Sequence, residues 1–397
     1  MNGLNAYRKF FLVLGFLLGI TAARAQEEGI YADFATSMGS FTCRLDYVNA
    51  PMTVANFIGL AEGSRAWIDL PTGQIRTNLF YDGIIFHRVI TNFMSQTGSP
   101  NGQGTDGLGY VFPDEFSPAL RHDGPGVLSM ANSGKNSNGS QFFITAANTA
   151  WLDGVHSVFG RVISGMEVVD AINHVPTSNN RPLTPITILH VSIRRVGTEA
   201  EGFVYTNPAL AGVAPIKLGI TPGGGNQRLD FARNQYCGYR LSMSSNLIVW
   251  TGTNLGVEVA PPSITGFPLS AQTAATPRQF YSLSRVQYPA HAFLPWSLQG
   301  CSLQIVFTNM AGTIDMSFGS ATTGTYTFSQ TSTGSITSCS WQQTEPYRSS
   351  MWPIYFSGLY PMTLTFNYTT NTGGGFNGLC YGTVTFPVSG LFTMDAP

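Results

Sequence analysis

Charge is what this sequence has least of. Of its 397 residues, 20 are Lys or Arg and 21 are Asp or Glu, which is 10% of the chain and a net charge of −1. An average soluble protein carries roughly 25% charged residues. Binding nucleic acid needs a basic face, and so few cations spread along the chain exclude that class of partner. Gly, Ser, Thr and Asn supply the polarity instead. Cysteine is also scarce: Cys43, Cys237, Cys301, Cys339 and Cys380 are never paired at metal-ligand spacing, so no metal is expected. Long apolar runs are missing beyond Ile20. A spanning helix needs about 20 apolar residues, so the mature chain is expected to be soluble, without a membrane span. Gly102 to Gly107 (GQGTDG) fits a dinucleotide fingerprint, but it neither follows a strong strand nor opens a helix. No cofactor is expected.

The N-terminus carries its own signal. Arg8 and Lys9 precede the apolar stretch Phe10 to Ile20 (FFLVLGFLLGI), and Ala23-Arg24-Ala25 supplies a small-residue cleavage site before Gln26. This pattern is a secretory signal peptide. The stretch is too short to span a bilayer, and no Cys follows it as a lipoprotein would require. Residues 1–25 are therefore expected to be removed and the mature chain exported, to a periplasm or beyond. In such a compartment the last four cysteines could form disulfides in three connectivities, or they could stay buried thiols, which behave as small apolar residues. Cys43 lies in an alternating pattern and is expected in a core.

From Gly29 to about Val196, short strand patterns mix with two helix patterns. Tyr31 to Ala35 and Gly39 to Leu45 alternate apolar and polar residues around a Ser37–Ser40 hairpin turn. Pro51 opens a helix with Val54, Phe57, Ile58 and Ala61 on one face and Gly63 as its stop. A second helix is expected from Met166, with Ser164 as its cap and Val168, Val169 and Ile172 inward. Many strands with two amphipathic helices suggest a closed sheet with helices over its ends. Beyond Gly197 helix patterns vanish. Only seven basic and six acidic residues follow from Glu201. Strand-like runs recur there, among them Leu247–Trp250, Leu303–Phe307, Gly324–Phe328, Met362–Tyr368 and Gly382–Phe386, separated by Gly- and Asn-rich turns. Gly223 to Gly225 and Gly373 to Gly375 are expected in loops. The expected organisation is a signal peptide (1–25), a catalytic domain (26–197), a linker with a small β module (198–290) and a C-terminal β module (291–397).

Three clusters in the first domain carry chemistry: Phe86 to Gln96 (FHRVITNFMSQ), Gly124 to Asn132 (GPGVLSMAN) running on to Asn138–Ile144 (NGSQFFI), and Trp151 to Gly160 (WLDGVHSVFG). They offer a guanidinium, an imidazole among aromatics, amides and many apolar groups, with no carboxylate among the candidate reacting groups and no Ser in a recognisable nucleophile motif. Such a set suits an uncharged apolar ligand held by a few hydrogen bonds. Phe, Met, Trp and Leu taken singly would be core, and His87 and His156 satisfied core histidines. Arg88 is different. A guanidinium cannot shed its proton, so inside an apolar strand it must meet a partner or a wet cleft.

Together the clusters closely resemble the cyclophilin family of peptidyl-prolyl cis–trans isomerases, over about Gly29 to Val196. The resemblance implies an enzyme that rotates X-Pro bonds, built as an eight-stranded antiparallel β-barrel capped by two helices. The whole chain is thus expected to be mainly β, with one or two all-β, sandwich-like modules after the barrel. It also implies roles. Arg88 would donate to the prolyl nitrogen. Phe93, Met94, Phe143 and Leu152 would line the proline pocket, with His156 at its edge. Gln96 and Asn132 would hold the substrate backbone. His87, Gly104, Ala131, Ser133, Gln141 and Trp151 would complete the substrate groove. The implied partners are proline-containing peptides, unfolded exported proteins and a cyclosporin-like ligand. Two departures touch the rim: Thr91-Asn92 replaces the family's Pro-Gly, and Thr97 stands where a glycine is usual. The stretch Ala66 to Asn78 is longer than in minimal members and is expected to shape substrate access. The alternatives are a Pro-peptide scaffold with poor turnover, and a surface- or carbohydrate-binding role for the β region, which carries Trp341, Trp352 and Tyr355, with isomerase activity accessory.

Overall fold

The computed structural model describes residues 27–204 without a break and most of 210–395, leaving out 269–279, 289–300 and several shorter segments. Residues 1–25, expected to be a signal peptide, lie outside the described part.

Eight strands form one antiparallel sheet: β1 (Gly29–Thr36), β2 (Gly39–Leu45), β3 (Arg88–Ile90), β4 (Met94–Thr97), β5 (Val127–Met130), β6 (Phe142–Thr145), β7 (Val158–Ser164) and β8 (Ile188–Val196). Their order is β8-β1-β2-β7-β5-β6-β4-β3. The chain just before β3 meets the start of β8. Phe86 N donates to Ile186 O (2.9 Å) and Ile188 N to Ile84 O (2.8 Å), and Ile85 bridges Thr187. These bonds join the two edge strands and close the sheet into a barrel, which removes its edges. The interior is aromatic. Phe34, Phe57, Phe142 and Phe159 are all at most 1% exposed, and the Phe142 ring lies 5.6–6.2 Å from those of Phe34, Phe57, Tyr81 and Phe159.

Helix α1 (Pro51–Ala61) starts at its proline and is followed by Gly63 in the left-handed region, as expected. It is buried all round rather than on one face. The segment around Tyr110 and Glu115 covers its outer side, where Asn56 accepts from Tyr110 Oη (2.9 Å) and donates to Gly139 O (3.0 Å). Its N-terminus has no local side-chain cap. Glu115, 63 residues away, accepts from the backbone N–H of Met52 (3.0 Å) and Thr53 (2.8 Å), satisfying two orphan donors and placing negative charge at the positive helix end. Helix α2 (Met166–Asn173) corrects one expectation. Ser164 ends β7, paired with Thr42, and the cap position is Gly165 at φ 77°. Any side chain there would enter the space of Ser40 O and Phe41 Cα, at 2.5 and 2.7 Å.

Beyond the barrel every described strand is antiparallel. A four-stranded sheet (Gly212–Ile216, Phe280–Gln287, Cys237–Ser244, Thr251–Glu258, in spatial order) accompanies a three-stranded sheet (Gly219–Gly223, Asn226–Arg233, Ser263–Pro268). They share a small core in which Phe231 of one sheet packs on Tyr239 of the other, at 5.2 Å. From Ser302 a nine-stranded sheet follows, and an additional pairing between Ser332–Ser338 and Arg348–Phe356 closes it around its own apolar core.

Several sequence expectations change here. Leu247–Trp250 is no strand. It is the loop between Cys237–Ser244 and Thr251–Glu258, and Ile248 is 82% exposed. Ser244 and Asn246 side chains accept the N–H groups of Asn246, Leu247, Ile248 and Val249, so a side-chain-capped turn wins over a ladder. Gly373–Gly375 lie in a strand, not a loop, opposite Thr393, Phe392 and Leu391, because neighbouring strands supply pairing that local propensity lacks. Gly223 ends a strand, while 224–225 lie outside the described residues. All five cysteines are buried thiols outside any disulfide. Cys301, Cys339 and Cys380 share one apolar core with no disulfide between them, and burial pushes the Cys339 thiol up to about 11. Tyr355 is 46% exposed, and the side chains of Trp341 and Trp352 lie outside the described set.

The stretch Ala66–Asn78 also has a different task from the one expected. It forms a small hairpin, Trp67–Ile68 with Ile75–Arg76, whose turn is gripped by the β module. Gly252 N donates to Pro71 O (3.0 Å), Ser284 Oγ to Gly73 O (3.0 Å) and Arg240 to Leu70 O. Leu210, Ala211, Val286 and Tyr288 join the barrel's own core cluster. The hairpin is a docking point for the module and contributes nothing to the lining of the groove described next.

Candidate active site

The strand register assembles the site. Arg88 of β3 stands opposite Gln96 of β4, Gln96 opposite Phe143 of β6, and Phe143 opposite Ser129 of β5. One cross-strand row thus carries the guanidinium, an amide and an aromatic ring. Alternation puts their neighbours Val89, Phe142 and Ile144 into the barrel, each at most 1% exposed, and the row itself on the outer face. This is where a guanidinium is tolerated: Arg88 is exposed. A chain of amides orients it. Arg88 Nη1 donates to Gln96 Oε1 (3.1 Å), Gln96 Nε2 to Gln141 Oε1 (3.0 Å), and Gln141 Nε2 to Gly104 O (3.1 Å) and Asp106 O (2.9 Å).

Beside Arg88 opens a cavity of about 630 Å³ whose apolar wall is Phe93, Met94, Phe143 and Leu152, with His156 beside them. His156 Nδ1–H donates to Met130 O (2.9 Å) and its ring meets Phe143 edge to face at 5.5 Å, which leaves Nε2 as an acceptor. His87, Gln96, Gly104, Ala131 and Asn132 also line the cavity. Asn132 is fixed by donating to Val155 O (2.8 Å) and accepting from Gly134 N (3.2 Å). Three expected groove residues do not line it. Gln141 stands behind Gln96. Trp151, 67% exposed, stacks on Phe93 with centroids 6.0 Å apart. Ser133 is exposed beyond Asn132, its N–H bonded to Ser137 Oγ. The Thr91-Asn92 departure keeps the turn, with Asn92 at φ 62° and its N–H held by Asn173 Oδ1 (2.8 Å).

Two features escaped the sequence reading. The first is the tip Ser178–Arg181, which forms one wall of the cavity; Asn179-Asn180 was its sequence signal, because Asn tolerates positive φ in tight hairpins. The second is a Ser–His–Asp arrangement. His122 Nδ1 meets Asp153 Oδ1 and its Nε2 meets Ser129 Oγ, both at 2.9 Å. Ser129 and His122 are 0% exposed, so no substrate reaches this hydroxyl. The trio braces the site: His122 N also bonds Asp153 Oδ1 (2.8 Å), its backbone carbonyl accepts from Thr149 N (2.9 Å), and its ring stacks on Phe143. It thereby holds the short 3-10 turn Ala150–Leu152, which carries Trp151 and Leu152.

Burial lowers the pKa of two histidines, His87 and His122. His87 is 7% exposed, and desolvation first, then Arg181 and Arg88, push its pKa down to about 4. His122 moves in the same direction, again mainly by burial, against the pull of Asp153. The folded state therefore resists protons that the unfolded chain accepts below about 6.5. Stability should be full above that pH and fall as pH drops toward 4. Unfolding free energies from urea titrations at pH 7 and pH 5 should differ by roughly 2 kcal/mol for His87 alone, with the lower midpoint at pH 5, and His87→Gln should flatten the difference. Equal midpoints at the two pH values would contradict this.

A row of Arg, Gln and Phe beside an apolar pocket, on the outside of a closed eight-stranded barrel, defines a cyclophilin-type site. The family profile "Cyclophilin type peptidyl-prolyl cis-trans isomerase/CLD" matches residues 31–193. Peptidyl-prolyl cis-trans isomerase B of Streptomyces anulatus is 48% identical over 170 residues, covering 42% of this chain and 97% of that protein. Peptidyl-prolyl cis-trans isomerase-like 1 of Aspergillus fumigatus is likewise 48% identical, covering 42% and 96%. A solved cyclophilin-type isomerase of Cryptosporidium parvum shares 30% identity, covering 42% of this chain and 98% of that one, with a TM-score of 0.37. The chain belongs to the cyclophilin-type peptidyl-prolyl cis–trans isomerases, and its barrel is the isomerase domain.

Proposed function

We propose that the chain isomerises X-Pro bonds of exported proteins and so assists their folding, with Arg88 as the catalytic group. The observation that carries this reading is the amide chain Arg88–Gln96–Gln141, which aims a fixed guanidinium along the edge of the apolar pocket. Amide resonance sets a rotation barrier of about 18–20 kcal/mol. In the twisted state the prolyl nitrogen loses conjugation and becomes an acceptor. A donor placed at that nitrogen stabilises the twisted state more than either planar isomer, which is the condition for catalysis. The proline ring would sit among Phe93, Met94, Phe143 and Leu152, which fixes the axis of rotation. Gln96 and Asn132 would hold the flanking backbone. Shortening the relaxation from minutes to milliseconds takes about five decades, or roughly 7 kcal/mol, within reach of a charged donor plus a shape-matched pocket. Neither a covalent step nor a cofactor enters this scheme.

Turnover of an Ala-Pro peptide and acceleration of a proline-limited refolding reaction test the activity and the folding role in turn. A chain that binds the peptide without turning it over would favour a Pro-peptide scaffold instead.

The exported location rests on Arg8, Lys9, the apolar stretch Phe10 to Ile20 and the Ala23–Ala25 site. N-terminal sequencing of the mature protein is expected to begin at Gln26. Recovery of the intact N-terminus in the cytoplasmic fraction would overturn that location.

A further inference from the structure

Most arginines of the barrel domain are ion-paired: Arg44 with Glu27, Arg76 with Asp69, Arg121 with Asp153, Arg161 with Asp123, Arg194 with Asp33 and Arg195 with Glu62. The two that line the cavity are not. Arg88 bonds only an amide, and Arg181 has no hydrogen-bond or ion-pair partner among the described residues. Among the described residues no Asp or Glu lines the cavity. Arg181 is held in place by a tight hairpin. Thr177–Ser178 pairs with Arg181–Pro182 across Asn179 (φ 50°) and Asn180 (φ 64°), the double left-handed geometry of a type I′ turn. Asn180 O accepts from Val89 N (2.7 Å), which straps the hairpin to the strand carrying Arg88.

His87 shares the cavity with both guanidiniums and feels the charge of each. It lines the cavity, is 7% exposed, and neither ring nitrogen has a partner among the described residues. Buried polar atoms in folded proteins are nearly always paired, so this imidazole is poised for a group that arrives with the ligand. Gly104 packs over it, where an added Cβ would stand 2.9 Å from Nε2. Being neutral at pH 7, the ring keeps one N–H to donate.

We propose that Arg181, with His87 and Arg88 beside it, forms an anion subsite that takes a carboxylate side chain near the X-Pro bond, so that acidic Pro-containing segments are the favoured substrates. Arg181 is then the residue that sets specificity. This deepens the isomerase reading of the same groove and rests on it.

The test uses the full mature chain and pairs of Pro peptides that differ only in Glu for Gln at one position, one or two residues either side of X-Pro. Exchange NMR gives kcat/KM, and calorimetry gives the affinity of each peptide. At low salt the Glu peptide should be favoured roughly five- to tenfold at one or more positions, and the preference should shrink at about 0.5 M salt. Arg181→Gln should bring the Glu/Gln ratio close to one, Arg181→Lys should keep part of it, and Arg181→Glu should shift preference toward a Lys peptide. A wild-type ratio within about twofold of one at every position, or a preference that survives Arg181→Gln, overturns the proposal. Absence of turnover on every peptide would defeat the isomerase reading instead, and the calorimetric preference would still decide the subsite.

Discussion

Arg88→Ala is expected to lower kcat/KM on an Ala-Pro peptide by about 10²–10³, or roughly 3–4 kcal/mol, the cost of removing one preorganised donor from a site of developing charge. Arg88 is exposed and its one side-chain partner is Gln96, so the melting curve should barely move, as for other surface substitutions. Arg88→Lys keeps the charge. It lacks the planar fork that bonds Gln96 Oε1 while still presenting donors to the pocket, so it should recover only a small part of the activity. Exchange NMR on the same peptide measures all three proteins. Activity of Arg88→Ala within threefold of wild type would mean that the pocket alone does the work.

Phe142→Ala should have the largest effect on stability. The ring is 0% exposed and contacts four other aromatic rings across the barrel. Removing it forfeits transfer free energy and leaves a cavity that a closed barrel cannot easily collapse, at a cost of about 3–5 kcal/mol. Its neighbour Phe143 is a wall of the apolar cavity beside Arg88, so the variant should also lose activity at temperatures where it remains folded. Urea unfolding followed by barrel fluorescence or circular dichroism checks the first effect. A loss under about 1 kcal/mol would mean that the aromatic cluster repacks, as well-relaxed sites do.

Much of the site was legible because its chemistry is local. Phe86–Gln96 carries the guanidinium, the amide and two pocket walls within one hairpin, and alternation along β3 and β4 puts Arg88, Gln96 and Met94 on one face. Arg181 was illegible for the opposite reason. Asn179-Asn180 signals a tight turn but not where that turn goes, and Arg181 reaches the groove only because the turn is bonded to Val89, some ninety positions away in sequence. The brace formed by His122, Ser129 and Asp153 was hidden in the same way: its members come from a loop, a strand and a turn, and only barrel closure makes them neighbours.

Local sequence was enough for the barrel strands β1 and β2, the start of α1 and the chemistry of the clusters, because alternation, a leading proline and residue type act over a few positions. What covers what came from long-range packing. It made Glu115 the cap of α1, made the Ala66–Asn78 stretch, expected to shape substrate access, a docking hairpin, moved Leu247–Trp250 from strand to exposed loop, and left the cysteines as thiols in apolar cores. Each outcome depends on which distant donor, acceptor or apolar surface arrives to satisfy a group, and that is set by the closure of the whole sheet rather than by neighbours along the chain.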